Sequence, residues 1–377
     1  MAHLACSVSR RRFAFSLGAA FGATAVRPSA STAAPAGAAA PAVIDLSSNE
    51  NPYGPSAAAL EAMTRSQAVA ARYPDAAEQQ TIEAIARLHG VSPDRIVLGC
   101  GSSEILRLCD AAFLGAGLTV VAAEPTFEAV LHYAKVTKAE PVTVPLTADF
   151  RHDLPAMARA CDARAGLVYV CNPNNPTGTI VTGEELLAFL AQVPPTAVVV
   201  VDEAYYHFVE APAYRSAVEM IDRFPNVVVA RTFSKIYGLA GMRLGYAVAS
   251  KASAESLRAH ASWGNANAAV LAAAQASLAD DGLVASRRER LNRTRRWLCA
   301  ELARDGRRTI PSETNFVMID AGTDVKPLVA AFEGRGIRVG RRFAALPTWL
   351  RVTIGTPEDT RAFLAALRAI VPARAAA

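Results

Sequence analysis

An alternation of short apolar runs with helical segments is the feature that most constrains how this chain can fold. The runs predict strands at Arg95–Leu98, Thr119–Ala123, Pro141–Pro145, Gly166–Cys171, Ala197–Val201, Asn226–Ala230 and Gly245–Ala249. Helical patterns follow several of them: one ends at Phe113, one begins near Glu128, and one opens at a capping box formed by Thr182 and Glu185. Strands that alternate with helices form a mostly parallel sheet with helices on both faces. The predicted fold class is therefore α/β, with a large sheet domain.

The chain beyond this alternation has a different pattern. Two long helical patterns come first, Ala266–Ala279 and Leu283–Arg304, and the arginines of the second are expected on its solvent face. Shorter strand and helix patterns then alternate from Thr314 to Ile370. They predict a smaller α+β domain at the carboxyl end of the chain.

Length and charge narrow the possible functions. With 377 residues, 52% of them hydrophobic, the chain can form one large domain and a smaller partner. The net charge of +5 invites a nucleic-acid function, but residues 1–40 hold four arginines and no acidic residue, which leaves the remainder at +1. No basic stripe is interleaved with aromatic residues, so we expect no nucleic-acid partner. The six cysteines form no C-x-x-C pair and no zinc-spaced cluster with histidine, so no metal site is predicted.

The first 42 residues have the pattern of an export signal. Ser9–Phe15 reads S-R-R-R-F-A-F, and an uncharged stretch to Val26 and a Pro/Ala/Ser-rich tail to Ala42 follow. The arginines followed by x-Phe resemble a twin-arginine signal, which predicts a periplasmic protein, or a cytoplasmic one if the leader does not function. The apolar part is too short for a stable membrane anchor. A disordered extension without a targeting role is the alternative, and folded sequence is expected from Val43.

Three polar motifs follow predicted strands, at the edge where parallel sheets bind ligands. Gly99–Glu104, G-C-G-S-S-E, places N–H groups and hydroxyls at the start of a helix, which suits a phosphate site or a plain helix cap. Asn172–Gly178, N-P-N-N-P-T-G, is a rigid loop whose asparagines can hydrogen-bond a ligand. Asp202–Tyr205, D-E-A-Y, puts a carboxylate at the end of a central strand, where it can bind a ligand or cap a helix.

The stretch Arg231–Tyr246, R-T-F-S-K-I-Y-G-L-A-G-M-R-L-G-Y, carries the most distinctive chemistry. A lysine held in a tight, partly apolar loop can lose its proton and form a Schiff base with a carbonyl, and Lys235 stands in such a loop. Thr232, Ser234 and Arg243 would make a seat for a phosphate dianion beside it. Lysine, hydroxyls and arginine together suggest pyridoxal phosphate; an ordinary loop lysine beside a solvated arginine is the alternative.

The order of the motifs is more specific than any one of them. S-N-E-N-P-Y-G-P, R-Y-P, G-S-S-E, N-P-N-N-P-T-G, D-E-A-Y, T-F-S-K with Arg243, S-E-T-N-F and L-R-V-T-I-G-T follow one another over residues 45–356. This succession resembles the fold-type I aminotransferases, in particular the histidinol-phosphate aminotransferase branch. The resemblance implies a pyridoxal 5'-phosphate enzyme that transfers an amino group from an amino acid or a related amine to a 2-oxo acid. It also implies, after the leader at 1–42, a segment at 43–74 that joins the small domain, a large cofactor-binding domain at 75–265 and a small domain at 266–377.

The resemblance gives the residues at the cofactor ring specific roles. Lys235 would form the Schiff base and carry the proton between the substrate's α-carbon and the cofactor. Asp202 would pair with the pyridine nitrogen and keep it protonated. Asn175 and Tyr205 would hydrogen-bond the ring's phenolic oxygen. Phe127 would stack on the ring face, at a position where the branch commonly has tyrosine.

The resemblance also assigns residues to the phosphate and the substrate. Hydroxyls and one guanidinium would hold the phosphate, from Ser102, Ser103, Thr232, Ser234 and Arg243. Tyr73 would reach the phosphate of a neighbouring subunit, which implies a homodimer with shared active sites. Arg351 would take the substrate's carboxylate or phosphate with its planar fork, and Asn49 would lie near the substrate.

The chain departs from the branch in three ways that bear on the substrate. The branch usually carries a longer segment before N-E-N-P that contributes substrate contacts, and here the leader takes that place. Gly340 stands where an arginine is often found, and Arg341 and Arg342 follow it as candidate replacements, with Arg341 the expected substrate ligand. Export would also separate the enzyme from histidine biosynthesis. These departures weaken histidinol phosphate as the substrate and leave the cofactor chemistry intact.

Two other functions fit parts of the pattern. A decarboxylase or lyase on the same scaffold, resembling the threonine-phosphate decarboxylases, is one of them, because the Schiff base activates several bonds. Side chains that the sequence does not place decide which bond breaks. A cofactor-binding regulator is the other; it would need an attached DNA-binding module, and only a signal-like leader precedes residue 43. We therefore expect an enzyme.

Overall fold

Strands form where the sequence is rich in β-branched and small apolar residues. The computed structural model describes residues 43–371, so the predictions for the leader at 1–42 lie outside the described residues. The strands are β1 (Ile44–Leu46), β2 (Ile96–Gly99), β3 (Thr119–Glu124), β4 (Glu140–Pro145), β5 (Ala165–Cys171), β6 (Val198–Asp202), β7 (Val227–Thr232), β8 (Gly245–Ala249), β9 (Thr309–Ile310), β10 (Phe316–Asp320), β11 (Ile337–Val339) and β12 (Trp349–Thr353).

Several helices, among them α1, α5, α7 and α8 below, begin at a residue whose side chain accepts one of their free N–H groups. The helices are α1 (Ala57–Ser66), α2 (Asp75–His89), α3 (Ser102–Phe113), α4 (Ala129–Thr137), α5 (Leu154–Ala160), α6 (Gly183–Leu190), α7 (Lys251–His260), α8 (Ala268–Leu278), α9 (Leu283–Arg304), α10 (Lys326–Glu333) and α11 (Pro357–Ile370). Thr182 and Thr356 each form a capping box, with Glu185 and Asp359, at the starts of α6 and α11. Within residues 43–371 no single helix is long and apolar enough to cross a membrane; α8 and α9 pass that test only together, across an 85° bend.

The large sheet has seven strands in the order β2-β8-β7-β6-β5-β3-β4. The pairs β4-β3, β3-β5, β5-β6 and β6-β7 are parallel, whereas β8 runs antiparallel to both β7 and β2. Every residue of β5, β6 and β7 is buried, as expected for central strands covered on both faces. The prediction of a mostly parallel sheet flanked by helices is therefore confirmed.

A smaller antiparallel sheet and a short parallel pair complete the fold. The small sheet has the order β12-β10-β9, and β1 pairs in parallel with β11. The N-terminal segment therefore pairs with a strand from the last part of the chain. From Val43 onward the chain is one compact unit, so the domain boundaries inside it stay predictions.

The structure differs from the sequence-based expectation at α7 and at α9, among other places. The helix α7 was not predicted, because its apolar face is narrow and only Ser253, Ala254 and Leu257 are buried in it. The arginines of α9 were expected in solvent, but Arg287 and Arg295 are buried. They donate hydrogen bonds to the carbonyl oxygens of Ile236 (2.9 Å) and Thr314 (2.7 Å). A guanidinium can be buried when backbone acceptors satisfy it, which a helical period cannot reveal.

Candidate active site

A cavity of about 750 Å³ opens at the carboxyl ends of β5, β6 and β7, whose last residues, Cys171, Asp202 and Thr232, all line it. Parallel strands end at one edge of the sheet, so their terminal side chains meet there. Except for Tyr73, every predicted cofactor and substrate residue lines this cavity: Asn49, Ser102, Ser103, Phe127, Asn175, Asp202, Tyr205, Thr232, Ser234, Lys235, Arg243, Arg341 and Arg351. Tyr73 is 91% exposed on the surface of the chain.

Asp202 is a buried carboxylate to which two neutral groups donate hydrogen bonds, and no cationic side chain within residues 43–371 is bonded to it. The hydroxyl of Tyr169 donates to its Oδ2 (2.9 Å) and the N–H of Ala204 donates to its Oδ1 (3.0 Å). Burial raises the pKa of Asp202 to about 6, against the opposing effect of these hydrogen bonds and the positive charge of Lys235. A cationic group brought to this carboxylate would therefore be strongly favoured.

Lys235 lies in the loop that follows β7, and burial makes its ammonium group unusually acidic. Its Nζ donates to the carbonyl oxygen of Ser48 (3.4 Å) and lies 5.5 Å from the ring centroid of Tyr205. Burial, and then the positive charge of Arg351, lowers the pKa of Lys235 to about 8. A large fraction of this amine is therefore neutral near pH 8, which is the form that attacks an aldehyde.

The amino end of α3 forms an anion seat with the guanidinium of Arg243. Gly101 precedes the helix with φ +78°, and a Cβ there would lie 2.1 Å from an Arg243 nitrogen, so only glycine allows this approach. Arg243 donates to the Cys100 carbonyl (3.4 Å) and to Ser234 Oγ (3.5 Å). Ser102 and Ser103 begin the helix, where N–H groups and the helix dipole favour negative charge.

Asn175 and Tyr205 each accept one hydrogen bond within the protein and keep a donor for the cavity. Asn175 Oδ1 accepts from Arg351 (2.7 Å), and no described residue accepts from its Nδ2. The Tyr205 oxygen accepts from Asn49 Nδ2 (3.1 Å), which leaves its own proton to donate. Burial raises the pKa of Tyr205, so the hydroxyl stays protonated. Both side chains therefore present a donor to the cavity.

Arg351 is held from two sides in the wall of the cavity. Besides Asn175, one of its nitrogens donates to the Ser47 carbonyl (2.8 Å), and burial lowers its pKa. Its Nε is buried without a hydrogen-bond partner among the described residues. The residue lines the cavity, where the positive charge of its guanidinium attracts an anion.

Arg341 and Arg342, which follow Gly340, point to different places. A Cβ on Gly340 would lie 2.8 Å from the Arg351 carbonyl oxygen, so no side chain fits at that position without a backbone shift. Arg341 lines the cavity and pairs with Glu128 at 2.7 Å. Arg342 instead pairs with Asp324 at 2.7 Å and does not line the cavity, so Arg341 is the one of the two candidate replacements that borders it.

Comparisons with known proteins agree with this architecture. The model of the aminotransferase class I and II family matches residues 41–367. The chain belongs to the class I and II aminotransferase family. It is 40% identical to the histidinol-phosphate aminotransferase of Symbiobacterium thermophilum, over 87% of this chain and 90% of that protein. It is 38% identical to the corresponding enzyme of Bacillus subtilis, over 87% of this chain and 92% of the other.

Solved structures give the same result. The histidinol-phosphate aminotransferase of Sinorhizobium meliloti, in complex with pyridoxal-5'-phosphate, superimposes with a TM-score of 0.82 at 30% identity, over 88% of this chain and 91% of that one. The L-threonine-O-3-phosphate decarboxylase of Porphyromonas gingivalis has a TM-score of 0.74 at 22% identity, over 87% and 99%, which is a likeness of fold alone. As a class I and II aminotransferase, the chain is a pyridoxal-phosphate-dependent transaminase.

The cavity of this aminotransferase fits that cofactor. The buried carboxylate of Asp202 suits a protonated ring nitrogen, and the seat at Gly101 and Arg243 suits a phosphate. The amine of Lys235, with its lowered pKa, suits an aldehyde carbon. The three functions are thus present in one cavity, in the chemical types that the cofactor requires.

Several residues that shape the site were not predicted. Tyr169, which donates to Asp202, stands inside an apolar strand, where a tyrosine reads as core. Arg287 and the amide of Asn51 both donate to the Ile236 carbonyl, next to Lys235. Glu128 precedes α4 as an ordinary surface residue. Asn51 belongs to the S-N-E-N-P-Y-G-P motif and Glu128 follows Phe127, whereas Tyr169 and Arg287 lie inside elements and gave no signal in the sequence.

Proposed function

We propose that this aminotransferase anchors its cofactor through Lys235 and takes an amino group from an amino acid, or from a related amine such as histidinol phosphate, for transfer to a 2-oxo acid. The convergence of Lys235, Asp202, Arg243 and Arg351 on one cavity is the observation that carries the proposal. When bound, pyridoxal phosphate supplies an electron-accepting ring that stabilises negative charge at the substrate's α-carbon.

The residues around the ring would be selected by what they can donate or accept. Asp202 would accept a hydrogen bond from a protonated ring nitrogen, because a cation next to this buried carboxylate favours its charged form. The amide of Asn175 and the hydroxyl of Tyr205 both donate, which suits an anionic oxygen on the ring. Phe127 borders the cavity with an aromatic ring that can cover one face of the cofactor.

The hydroxyls near α3 complete the phosphate seat. Ser102, Ser103, Ser234 and Thr232 line the cavity on the side of Arg243. Thr232 Oγ1 also accepts the N–H of Ser234 (3.0 Å), which fixes the turn that leads into Lys235. Phosphate binding and lysine placement would therefore depend on the same few residues.

Lys235 would also move the proton at the substrate's α-carbon. Once a substrate amine replaces it, the released amine can take up that proton, because its pKa of about 8 lies near the working pH. Arg351 would hold the substrate carboxylate through its guanidinium, whose hydrogen bond to Asn175 fixes its position in the cavity wall. Asn49 contributes by fixing Tyr205 in place.

The test is a half-reaction with purified protein that carries pyridoxal phosphate. Addition of an amino donor should remove the visible absorbance of the lysine-bound cofactor and release the matching 2-oxo acid. Addition of 2-oxoglutarate afterwards should restore the absorbance. Release of carbon dioxide without a 2-oxo acid would instead favour a decarboxylase and contradict the proposal.

We also propose that the enzyme is a homodimer in which Tyr73 completes the partner's phosphate seat. The support is that Tyr73 is 91% exposed, on the surface of a chain whose other predicted cofactor residues line the cavity. Sedimentation should give a dimer, and Tyr73→Phe should weaken cofactor binding. When Tyr73→Phe chains are mixed with Arg243→Ala chains, each mixed dimer should have one site that keeps both Tyr73 and Arg243 and one site that lacks both. A monomer with full activity would contradict this proposal.

Export through the twin-arginine leader is a separate proposal, supported by the sequence of residues 9–26 alone. A route for folded proteins suits an enzyme whose cofactor must be bound before transport. Fractionation of cells should recover the protein in the periplasm. The double substitution Arg10→Lys and Arg11→Lys should retain it in the cytoplasm, and equal periplasmic amounts of both forms would contradict the idea.

A further inference from the structure

A buried ion pair lies directly behind the cavity, between two motif residues that the cofactor chemistry leaves without a role. Glu203 follows Asp202 in the D-E-A-Y motif, and Arg231 lies four positions before Lys235. Nε and Nη2 of Arg231 donate to Oε2 of Glu203 at 3.0 and 2.7 Å, and the two side chains are 4% and 0% exposed. Neither side chain lines the cavity, so the pair does not touch what binds there.

The pair joins two strands at the point where their backbone pairing ends. The register of β6 with β7 stops at Asp202 and Ala230, and the N–H of Glu203 donates to the Ala230 carbonyl (2.9 Å). The ion pair continues this connection by one residue on each strand. On its other side, β7 stays paired with β8 as far as Thr232. The loop that carries Lys235 is therefore tied to β8 by the backbone and to the strand of Asp202 by the ion pair.

Glu203 also holds the chain that follows the D-E-A-Y motif. The hydroxyl of Ser216 donates to its Oε2 (2.9 Å), and the N–H of Ala217 donates to its Oε1 (2.7 Å). The ring of Tyr206 lies against the guanidinium of Arg231, with its centroid 3.5 Å from the central carbon. Both carboxylate oxygens are thus satisfied, and an aromatic face covers the cation.

Net stability is a weak reason for a pair of this kind. Desolvation of the two charges opposes their attraction, and apolar residues of similar volume often stabilise a protein equally well. The pair instead contributes fixed geometry, because two bonds from a planar guanidinium to one oxygen leave little freedom at either end.

We propose that Glu203 and Arg231 are positioning residues, whose buried ion pair fixes Lys235 relative to Asp202 so that one bound cofactor meets both side chains. This inference rests on the proposed role of Lys235 and adds two residues that touch neither cofactor nor substrate. Position matters here because a misplacement of about 1 Å can lower a reaction rate by about 100-fold.

The test uses two variants that keep the net charge of the pair. The double variant Glu203→Gln with Arg231→Met leaves no unpaired ion, and the glutamine oxygen can still accept the N–H of Ala217. Arg231→Lys keeps an ion contact and loses the planar fork. The limiting rate of the half-reaction should fall about 100-fold in the double variant and about tenfold in Arg231→Lys. The donor concentration that gives half of this rate should change less than about threefold, because Arg351 holds the donor.

A second measurement uses cofactor-free protein and does not depend on turnover. The pH midpoint for uptake of pyridoxal phosphate, expected near 8 from the pKa of Lys235, should rise by about one unit in the double variant. The reason is that a loosened loop exposes the amine to water. Both variants keep the charged groups that act on Lys235, which are Glu50, Asp202, Arg243 and Arg351. A shift in the midpoint therefore reports changed burial of the amine.

Arg295→Lys is the matched control. Arg295 is also buried, donates to the Thr314 carbonyl (2.7 Å), pairs with Glu210 at 3.4 Å and does not line the cavity. Its variant should lower the temperature of thermal unfolding as Arg231→Lys does, while the limiting rate and the pH midpoint stay as in the wild type.

A folded double variant with the rate and the midpoint of the wild type would overturn the inference, and so would equal changes of both quantities in Arg231→Lys and Arg295→Lys. If the double variant does not fold, the comparison of the two lysine variants decides alone. Failure of the wild-type protein to attach pyridoxal phosphate to Lys235 would instead count against the proposed function.

Discussion

The two ends of the cavity are built differently. At the inner end, Asp202 ends β6 and Lys235 follows β7, and burial raises the pKa of Asp202 to about 6 and lowers that of Lys235 to about 8. At the outer end, Arg341 and Glu128 face solvent and hold each other in an ordinary surface ion pair. In a buried site, desolvation disfavours charged groups and shifts their pKa values strongly. An exposed ion pair contributes little free energy, so its partners can be exchanged easily. Substitutions at the inner end should therefore change activity strongly, and substitutions at the outer end should change it by smaller amounts.

The largest effect is expected for Lys235→Ala, which removes both the anchor and the proton carrier. Activity should fall roughly 10⁴-fold or more. Borohydride should no longer link the cofactor to the protein, which mass spectrometry can check. Lys251→Ala is the control, because Lys251 pairs with Asp94 at 3.4 Å on the surface and should be dispensable. Labelling of the Lys235→Ala protein would show that another lysine holds the cofactor.

Arg351 lies between the two ends and should show an intermediate effect. A bidentate arginine–carboxylate contact in a closed site is worth about 2–4 kcal/mol, so Arg351→Ala should lower kcat/KM for a carboxylate donor by about 30- to 1,000-fold. Arg351→Lys should recover only part of the loss, because lysine lacks the planar fork. The visible spectrum should be unchanged in both variants. Normal kcat/KM in Arg351→Ala would leave Arg341 as the anion ligand and give Arg351 a structural role.

The pH dependence of cofactor attachment tests how far the pKa of Lys235 lies below its ordinary value. Because the neutral amine reacts, the rate at which cofactor-free protein takes up pyridoxal phosphate should rise with pH with a midpoint near 8. Arg351→Met should move the midpoint to higher pH, because the charge of Arg351 helps to lower the pKa of Lys235. Stopped-flow absorbance measures both. A midpoint near 10.5, the ordinary value for lysine, would show that the inner end is not perturbed.

The smallest effect concerns the stability of cofactor-free protein. The folded-state pKa of Asp202 is raised to about 6 from 3.8, so folded protein binds the proton more tightly than unfolded protein does. This tighter proton binding stabilises the folded protein fully below pH 4, and the stabilisation is lost as pH rises through 6. The free energy of unfolding of Asp202→Asn, relative to wild type, should therefore increase by about 2–3 kcal/mol from pH 4 to pH 7.

A second buried carboxyl provides the control for that experiment. Asp110 in α3 has no hydrogen-bond partner for either oxygen among the described residues, and burial raises its pKa to about 7. Asp110→Asn should change the pH dependence of stability in the same direction and leave transamination intact, because Asp110 does not line the cavity. A flat difference between Asp202→Asn and wild type across this range would mean that the carboxyl is not perturbed.

The inner end could be predicted from the sequence because its chemistry requires particular residue types in a particular order. Asp202, Asn175 and Lys235 each follow a strand, and parallel strands bring their ends together. The sheet was predictable for the same reason, since β8 matched its predicted limits and β6 differed by one residue. The antiparallel direction of β8 was not predictable, because direction leaves no trace in a short apolar run.

The outer end could not be predicted, because its contacts join residues distant in the chain. The pairing of Arg341 with Glu128 crosses 213 positions and involves no special residue type. Gly340 packs against Arg351, and only the folded backbone after it determines which of the next two arginines faces the cavity. The sequence therefore could not distinguish Arg341 from Arg342 as the anion ligand. The same applies to Arg287, whose burial is set by the Ile236 carbonyl and not by its own helix.

The pairing of β1 with β11 limits where the proposed export leader could be removed. Ile44–Leu46 is a strand partner, and within five residues the same segment supplies the Ser47 carbonyl to Arg351 and the Asn49 amide to Tyr205. A cut before Ile44 would leave these contacts in place, whereas a cut a few residues later would remove part of them. Any cleavage that accompanies the proposed export must therefore fall before Ile44 if the wall of the cavity is to stay complete.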